Sequence, residues 1–236
     1  MKFISRKEWG AKLPKSVTSL NWAAIDLIYV HYTSMLSDQT GNPRVKMRGI
    51  QDFHMRVKGW TDVAYNWAFA FSGEILEGRG WKVRSAATGA ENSHSVAFVF
   101  LGGDKAGRDD VTPKGRTALG TLIREALRLK REANGQNAWL KVRGHTQAPG
   151  SAGQTDCPGL EILSYIAMRG WEVVEPAIKY PRNFFLFASW YLAEGNFKGQ
   201  KPHDQSIRPK NLPGRYTPGT AALMVALRHY LRRRNQ

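Results

Sequence analysis

Two short apolar runs constrain the fold of this chain most: "IDLIYVHY" at residues 25–32 and "SVAFVFLG" at 95–102. Both are rich in β-branched and aromatic residues and bounded by turn formers, which is the signature of strands. "NWAFAFS", "EILEGR" and "WLKVRGH" read the same way, and Ser72-Gly73 separates the first two of these as a hairpin turn does. Between the strands lie helical patterns. Ile50, Phe53, His54 and Val57 fall at helical spacing, and Leu119, Leu122, Ile123, Ala126 and Leu127 form one stripe of a longer helix. That helix is expected to start at Thr112 as N-cap with Pro113 in its first turn, and to end at Asn134-Gly135. "CPGLEILSYIAM" predicts a third helix with Pro158 in its first turn. Strands interleaved with helices make an α/β or α+β domain.

With 236 residues the chain can bury one substantial core and carry a small second unit. Hydrophobic content of 42% with eight Trp excludes a disordered chain. Its apolar runs stay well short of the roughly 20 residues that span a bilayer. The beginning, "MKFISRKEWGAK", has no apolar h-region, so no secretory leader is expected, and the single cysteine suits a reducing cytoplasm. The net charge of +16 points to a polyanionic partner: nucleic acid, acidic membrane or anionic cell wall. From Pro176 onward eleven Lys/Arg face two acids, a net +9, while the rest of the chain carries +7. A boundary is therefore expected near "VVEPAIKYPRN", dividing a 1–175 domain from a basic 176–236 region. "NFFLFASWYLA" and "TPGTAALMVALRHYLRRR" read as two helices in that region. It serves either as a module for anionic wall polymers or as a hairpin packed on the first domain, and the concentration of charge favours the module.

The chemistry centres on "VRGHTQAPGSAGQTDCPG", residues 142–159. A lone cysteine forms no internal disulfide, but a thiolate and an imidazole are both zinc ligands, and a catalytic zinc takes three protein ligands and leaves a fourth position to water. His145 ends an expected strand, and Cys157 stands at an expected loop-to-helix junction where a helix N-terminus lowers a thiol pKa. A third ligand is needed. His31 is the best candidate, because it closes the apolar strand "IDLIYVHY". His54 lies on the apolar face of a helix and reads as a hydrogen-bonded core residue; His94 is open to either reading, and His203 and His229 fall in the basic tail.

"RKEWGA", "VHYT", "HMRVKGWTDVAYNW", "ILEGRGW", "NSHSVAFVFLGG", "TPKGRTAL", "RGH" and "TDCPG" follow one another over residues 5–168. In this order they resemble zinc-dependent N-acetylmuramoyl-L-alanine amidases of the phage-lysozyme and peptidoglycan-recognition-protein type. The resemblance implies a mixed β-sheet flanked by helices, with a small helical C-terminal region added here. It implies zinc held by His31, His145 and Cys157, with Tyr65 and Thr155 beside the zinc-bound water. Trp60, Arg79, Trp81 and Asn92 are the residues expected to contact substrate. Two departures stand out: the loop between His145 and Cys157 carries an extra "PGSAG", and "RSAATGAEN" lacks the His usual in that loop. The expectation is a monomeric phage endolysin that accumulates in the host cytoplasm and cleaves peptidoglycan. A non-catalytic peptidoglycan binder is the alternative, and nucleic acid is the less favoured partner because charge alone supports it.

Overall fold

The computed structural model describes residues 2–33, 41–103, 111–151 and 154–172; the expected C-terminal helices and their wall-binding role lie outside the described residues. Six strands form one sheet: β1 (Phe3–Ile4), β2 (Leu27–Tyr32), β3 (Trp67–Phe69), β4 (Ile75–Glu77), β5 (Ser95–Phe100) and β6 (Lys141–Gly144). Their order across the sheet is β1-β4-β3-β5-β2-β6. The hairpin pair β3 and β4 is antiparallel, and the other neighbours are parallel. All five strands expected from the sequence are present. β1 is two residues long, too short to show a period.

Side chains alternate across the sheet, and the two faces are covered differently. Ile28, Val30, Val96, Phe98 and Phe100 pack into one core with α3 (Pro113–Asn134) and α4 (Leu160–Ala167). On the opposite face Ala68, Val99 and Leu101 pack against α1 (Arg6–Trp9) and α2 (Pro43–Asp52) through Trp9, Met47 and Ile50. His31 belongs to this second face by its place in β2, in step with Leu27 and Tyr29. Among the described residues no helix is long and apolar enough to cross a membrane.

The ends of α3 follow the sequence. Thr112 Oγ1 accepts from the Gly115 amide at 3.0 Å, Pro113 occupies the first turn, and Gly135 closes the helix at φ +90°. Two helical expectations are corrected. The α2 segment buries Met47, Ile50, Gln51 and His54, whereas Phe53 and Val57 are exposed. The chain widens into a π-turn over Phe53–Val57, and the buried stripe runs one position away from the pairing of apolar residues alone. α4 starts at Leu160 after Gly159 at φ +87°, so Pro158 and Cys157 precede the helix instead of opening it.

Asn66 ties the site-bearing loop to the sheet. It is fully buried, and its amide donates to Gly80 O at 2.9 Å and Val83 O at 2.8 Å while its oxygen accepts from Ala97 N at 2.9 Å. Three backbone groups in the interior thus depend on one side chain. Each buried polar group left without a partner costs about 1–3 kcal/mol. Asn66→Ala is expected to lower unfolding stability by about 2–5 kcal/mol; urea denaturation should show an earlier midpoint with an unchanged slope.

Candidate metal centre

Strand register brings the two histidines together. β2 and β6 are parallel with Val30 opposite Gly144, so the next residue of each strand, His31 and His145, leaves the same edge of the sheet. Their ring centroids lie 4.5 Å apart. Cys157 arrives from the loop that follows. A β-carbon at Gly144 would stand 2.5 Å from both Pro158 Cδ and Leu163 Cδ2, so only glycine lets this loop and α4 press against the strand end. The loop is fixed there by Thr146 N donating to Cys157 O at 2.8 Å, and by Tyr32 N donating to Cys157 Sγ at 3.3 Å. A nitrogen of each imidazole and the sulfur all lie within 4.8 Å of one another.

Burial sets the protonation of the trio. Desolvation holds His31 well below its ordinary pKa, with the neighbouring His145 adding to the effect. His145 is lowered by its own burial. Both rings are therefore neutral at pH 7, with a lone pair to offer. The Cys157 thiol is pushed up to about 12 by burial, against a smaller lowering by the Tyr32 amide. The thiolate-favouring helix terminus expected from the sequence is absent because the cysteine precedes α4. Two neutral imidazoles and one thiol fit zinc, whose ligands at 2.0–2.3 Å stand roughly 3.3–3.8 Å apart in a tetrahedral site. Side-chain shifts on the order of 1 Å bring the present donors to that spacing.

An aromatic line leads outward from the trio. The ring of Tyr65 lies 5.4 Å from His31 and 5.8 Å from His54, and His54 lies 4.7 Å from Trp60, which is 38% exposed. Burial raises the Tyr65 phenol, and the charge Cys157 can carry adds to the rise, so this hydroxyl stays protonated and able to donate. His54 is the buried, hydrogen-bonded residue expected: Ala64 N donates to its Nδ1 at 3.1 Å, and burial lowers its pKa to about 4. Thr155 Oγ1 accepts from Cys157 N at 3.2 Å. His94 is held by Glu91 at 3.0 Å and takes no part in the trio.

Three of the residues expected to contact substrate are held by structural partners. Arg79 donates to Val63 O at 2.6 Å and Arg84 O at 2.9 Å, and so braces the loop before Tyr65. Trp81 packs against Trp22, Trp67 and Phe98, on the α3 side of the sheet and turned from His31. Asn92 Oδ1 accepts from Ser85 Oγ at 3.0 Å and from Thr88 N at 2.9 Å. Two residues near the site carry no sequence motif. Thr88 Oγ1 lies 3.3 Å from His31 Nε2, and Ser151 Oγ lies 3.2 Å from His145 Nε2.

A family model described as N-acetylmuramoyl-L-alanine amidase matches residues 21–160, the span that supplies strands β2 to β6 and all three candidate ligands. The chain belongs to this amidase family. Peptidoglycan-recognition protein SC2 of Drosophila melanogaster is 31% identical over 169 residues, covering 71% of this chain and 85% of that protein. Peptidoglycan-recognition protein LB of the same fly is 36% identical over 102 residues, 43% of this chain and 44% of its own length. The solved structure of wild-type Drosophila PGRP-LB superimposes with a TM-score of 0.61 at 26% identity, over 75% of this chain and 99% of that one. PGRP-LE in complex with tracheal cytotoxin, a monomeric diaminopimelic acid-type peptidoglycan, gives 0.57 at 25% identity over 66% of this chain and 87% of that one. The mixed α/β fold of this chain, with its six-stranded sheet, matches these solved structures.

Protonation gives a direct test of the trio. At pH 7–9 the imidazoles are already neutral, whereas a thiol at about 12 still holds its proton. An ion bound by the thiolate must displace that proton. Zinc added to metal-free protein at pH 7.5 is expected to release about one proton per ion, with affinity rising about tenfold per pH unit. Calorimetry in buffers of different ionisation enthalpy measures both.

Proposed function

We propose that this chain is a zinc-dependent amidase that hydrolyses the bond between the lactyl group of N-acetylmuramic acid and L-alanine in bacterial peptidoglycan. The observation that carries the reading is the convergence of His31, His145 and Cys157 on one point, with Tyr65 alongside. Zinc held there would polarise the scissile carbonyl and supply a water acidified to a pKa of about 7. The chain's own residues do the rest. Tyr65, kept protonated by burial, donates toward the oxygen that gains charge. Thr155 fixes the cysteine through its amide, and the His54-Trp60 wall gives the substrate an apolar surface. Complexes of related proteins with tracheal cytotoxin support a peptidoglycan ligand.

The endolysin role is part of this proposal: a monomer that waits in the host cytoplasm and reaches the wall once the membrane is opened. The resemblance to phage lysozymes and the net charge of +16, suited to an anionic wall, support it. Binding without cleavage is the second reading, favoured by the recognition proteins among the relatives. Cys157 supports catalysis over binding alone, since a binder has no use for a thiolate in an open metal site.

Purified wall fragments decide between them. New L-alanine amino termini should appear, vanish with a chelator and return with zinc; reducing sugar ends would show a glycosidase, and retained binding without new termini would show a recognition protein. Cys157→Ser and His31→Ala are each expected to abolish cleavage. Tyr65→Phe should keep its zinc and lose roughly 100- to 1,000-fold in kcat.

A further inference from the structure

Both candidate imidazoles meet a hydroxyl at the same ring nitrogen. Thr88 Oγ1 stands 3.3 Å from Nε2 of His31, and Ser151 Oγ stands 3.2 Å from Nε2 of His145. Neither contact is incidental to its loop. Thr88 is buried at the start of the turn Gly89–Ser93, and its amide donates to Asn92 Oδ1, which also takes the Ser85 hydroxyl. Asn92 closes the ring by donating to Gly89 O at 2.6 Å.

Ser151 is delivered by a separate device. The sequence Ala148-Pro149-Gly150-Ser151 forms a β-turn closed by Ser151 N donating to Ala148 O at 3.0 Å. Proline in its second position and Gly150 at φ +76° in its third are the residues a type II turn requires. Ala148 anchors the turn in the small core of Leu27 and Tyr29, beneath the face that carries His31. Three of its four residues, Pro149, Gly150 and Ser151, belong to the extra "PGSAG" of the loop between the two ligands.

A hydroxyl can donate or accept, so the contact alone leaves the ring tautomer open. The cation decides it. If Nε2 faces the hydroxyl, Nδ1 is the nitrogen left for a metal; it must offer a lone pair, so Nε2 must carry the hydrogen. We infer that Thr88 and Ser151 are positioning residues: each accepts the Nε2 hydrogen of its histidine and holds Nδ1 toward the cation. This rests on the zinc reading above and adds to it two residues outside the ligand set, one of them on the extra loop.

Two measurements test it. In zinc-loaded, nitrogen-15-labelled protein at neutral pH, long-range proton–nitrogen spectra should show His31 and His145 protonated at Nε2. Protonation at Nδ1 in both would overturn the inference, and this readout needs no variant. Zinc affinity, from competition with a chromophoric chelator, should fall roughly 10- to 100-fold in Ser151→Ala and in Thr88→Val, and return in Ser151→Thr and Thr88→Ser. Wild-type protein that binds zinc tightly while both variants match it would overturn the inference and leave the amidase reading standing. Failure of the wild type to bind zinc would overturn both.

Discussion

The parallel pairing of β2 with β6 is the constraint on which the site depends. Register in a parallel ladder is discrete, and a slip by one residue turns every side chain to the other face. With Val30 opposite Gly144, the two strands release adjacent histidines at one sheet edge. A slip would send one ring into the core of Ile28, Val30 and Phe98, where its lone pair would have no use. β2 is buried on both faces, and Gly144 at the end of β6 leaves no room for a side chain beside Pro158 and Leu163, so core packing and the geometry of the site share this register.

The site is built around groups that are costly to bury without a cation. Two neutral imidazoles and a protonated thiol form a cluster that gains little from its own contacts, since among the described residues the sulfur accepts one backbone hydrogen bond, at 3.3 Å. A divalent ion held there would repay that cost by coordination, and the thiol would lose its proton only in its presence. Tyr65 is subject to the same burial, but the effect is opposite in use: desolvation keeps its hydroxyl protonated as a donor. One buried environment thus prepares a ligand set and a donor together.

Most of the frame was legible in the sequence because its signals are local. The strands announce themselves by apolar runs, and α3 by its stripe and both of its caps. His31 and His145 are legible as strand-end histidines. Cys157 is legible as the lone thiol after a Gly/Pro loop. What the sequence concealed depends on distant partners. Trp81 and Trp60 have the same chemistry and the same Gly-Trp context, yet one faces the α3 core and the other packs on His54 at the surface, which only the fold distinguishes. Arg79 and Asn92 look available for substrate until their backbone partners are known. The π-turn after α2 displaces the exposed Phe53 and Val57 without any proline or glycine to mark it. Thr88 belongs to no motif, whereas Ser151 had a faint signal in the Pro-Gly pair before it.

X-ray absorption at the zinc edge of the zinc-loaded protein reads the donor atoms around the ion itself, and so whether His31, His145 and Cys157 hold it. One sulfur at about 2.3 Å, two imidazole nitrogens at about 2.0 Å and one lighter oxygen shell are expected, with the sulfur shell lost in Cys157→Ser. Zinc surrounded by oxygen and nitrogen alone in the wild-type protein would contradict it.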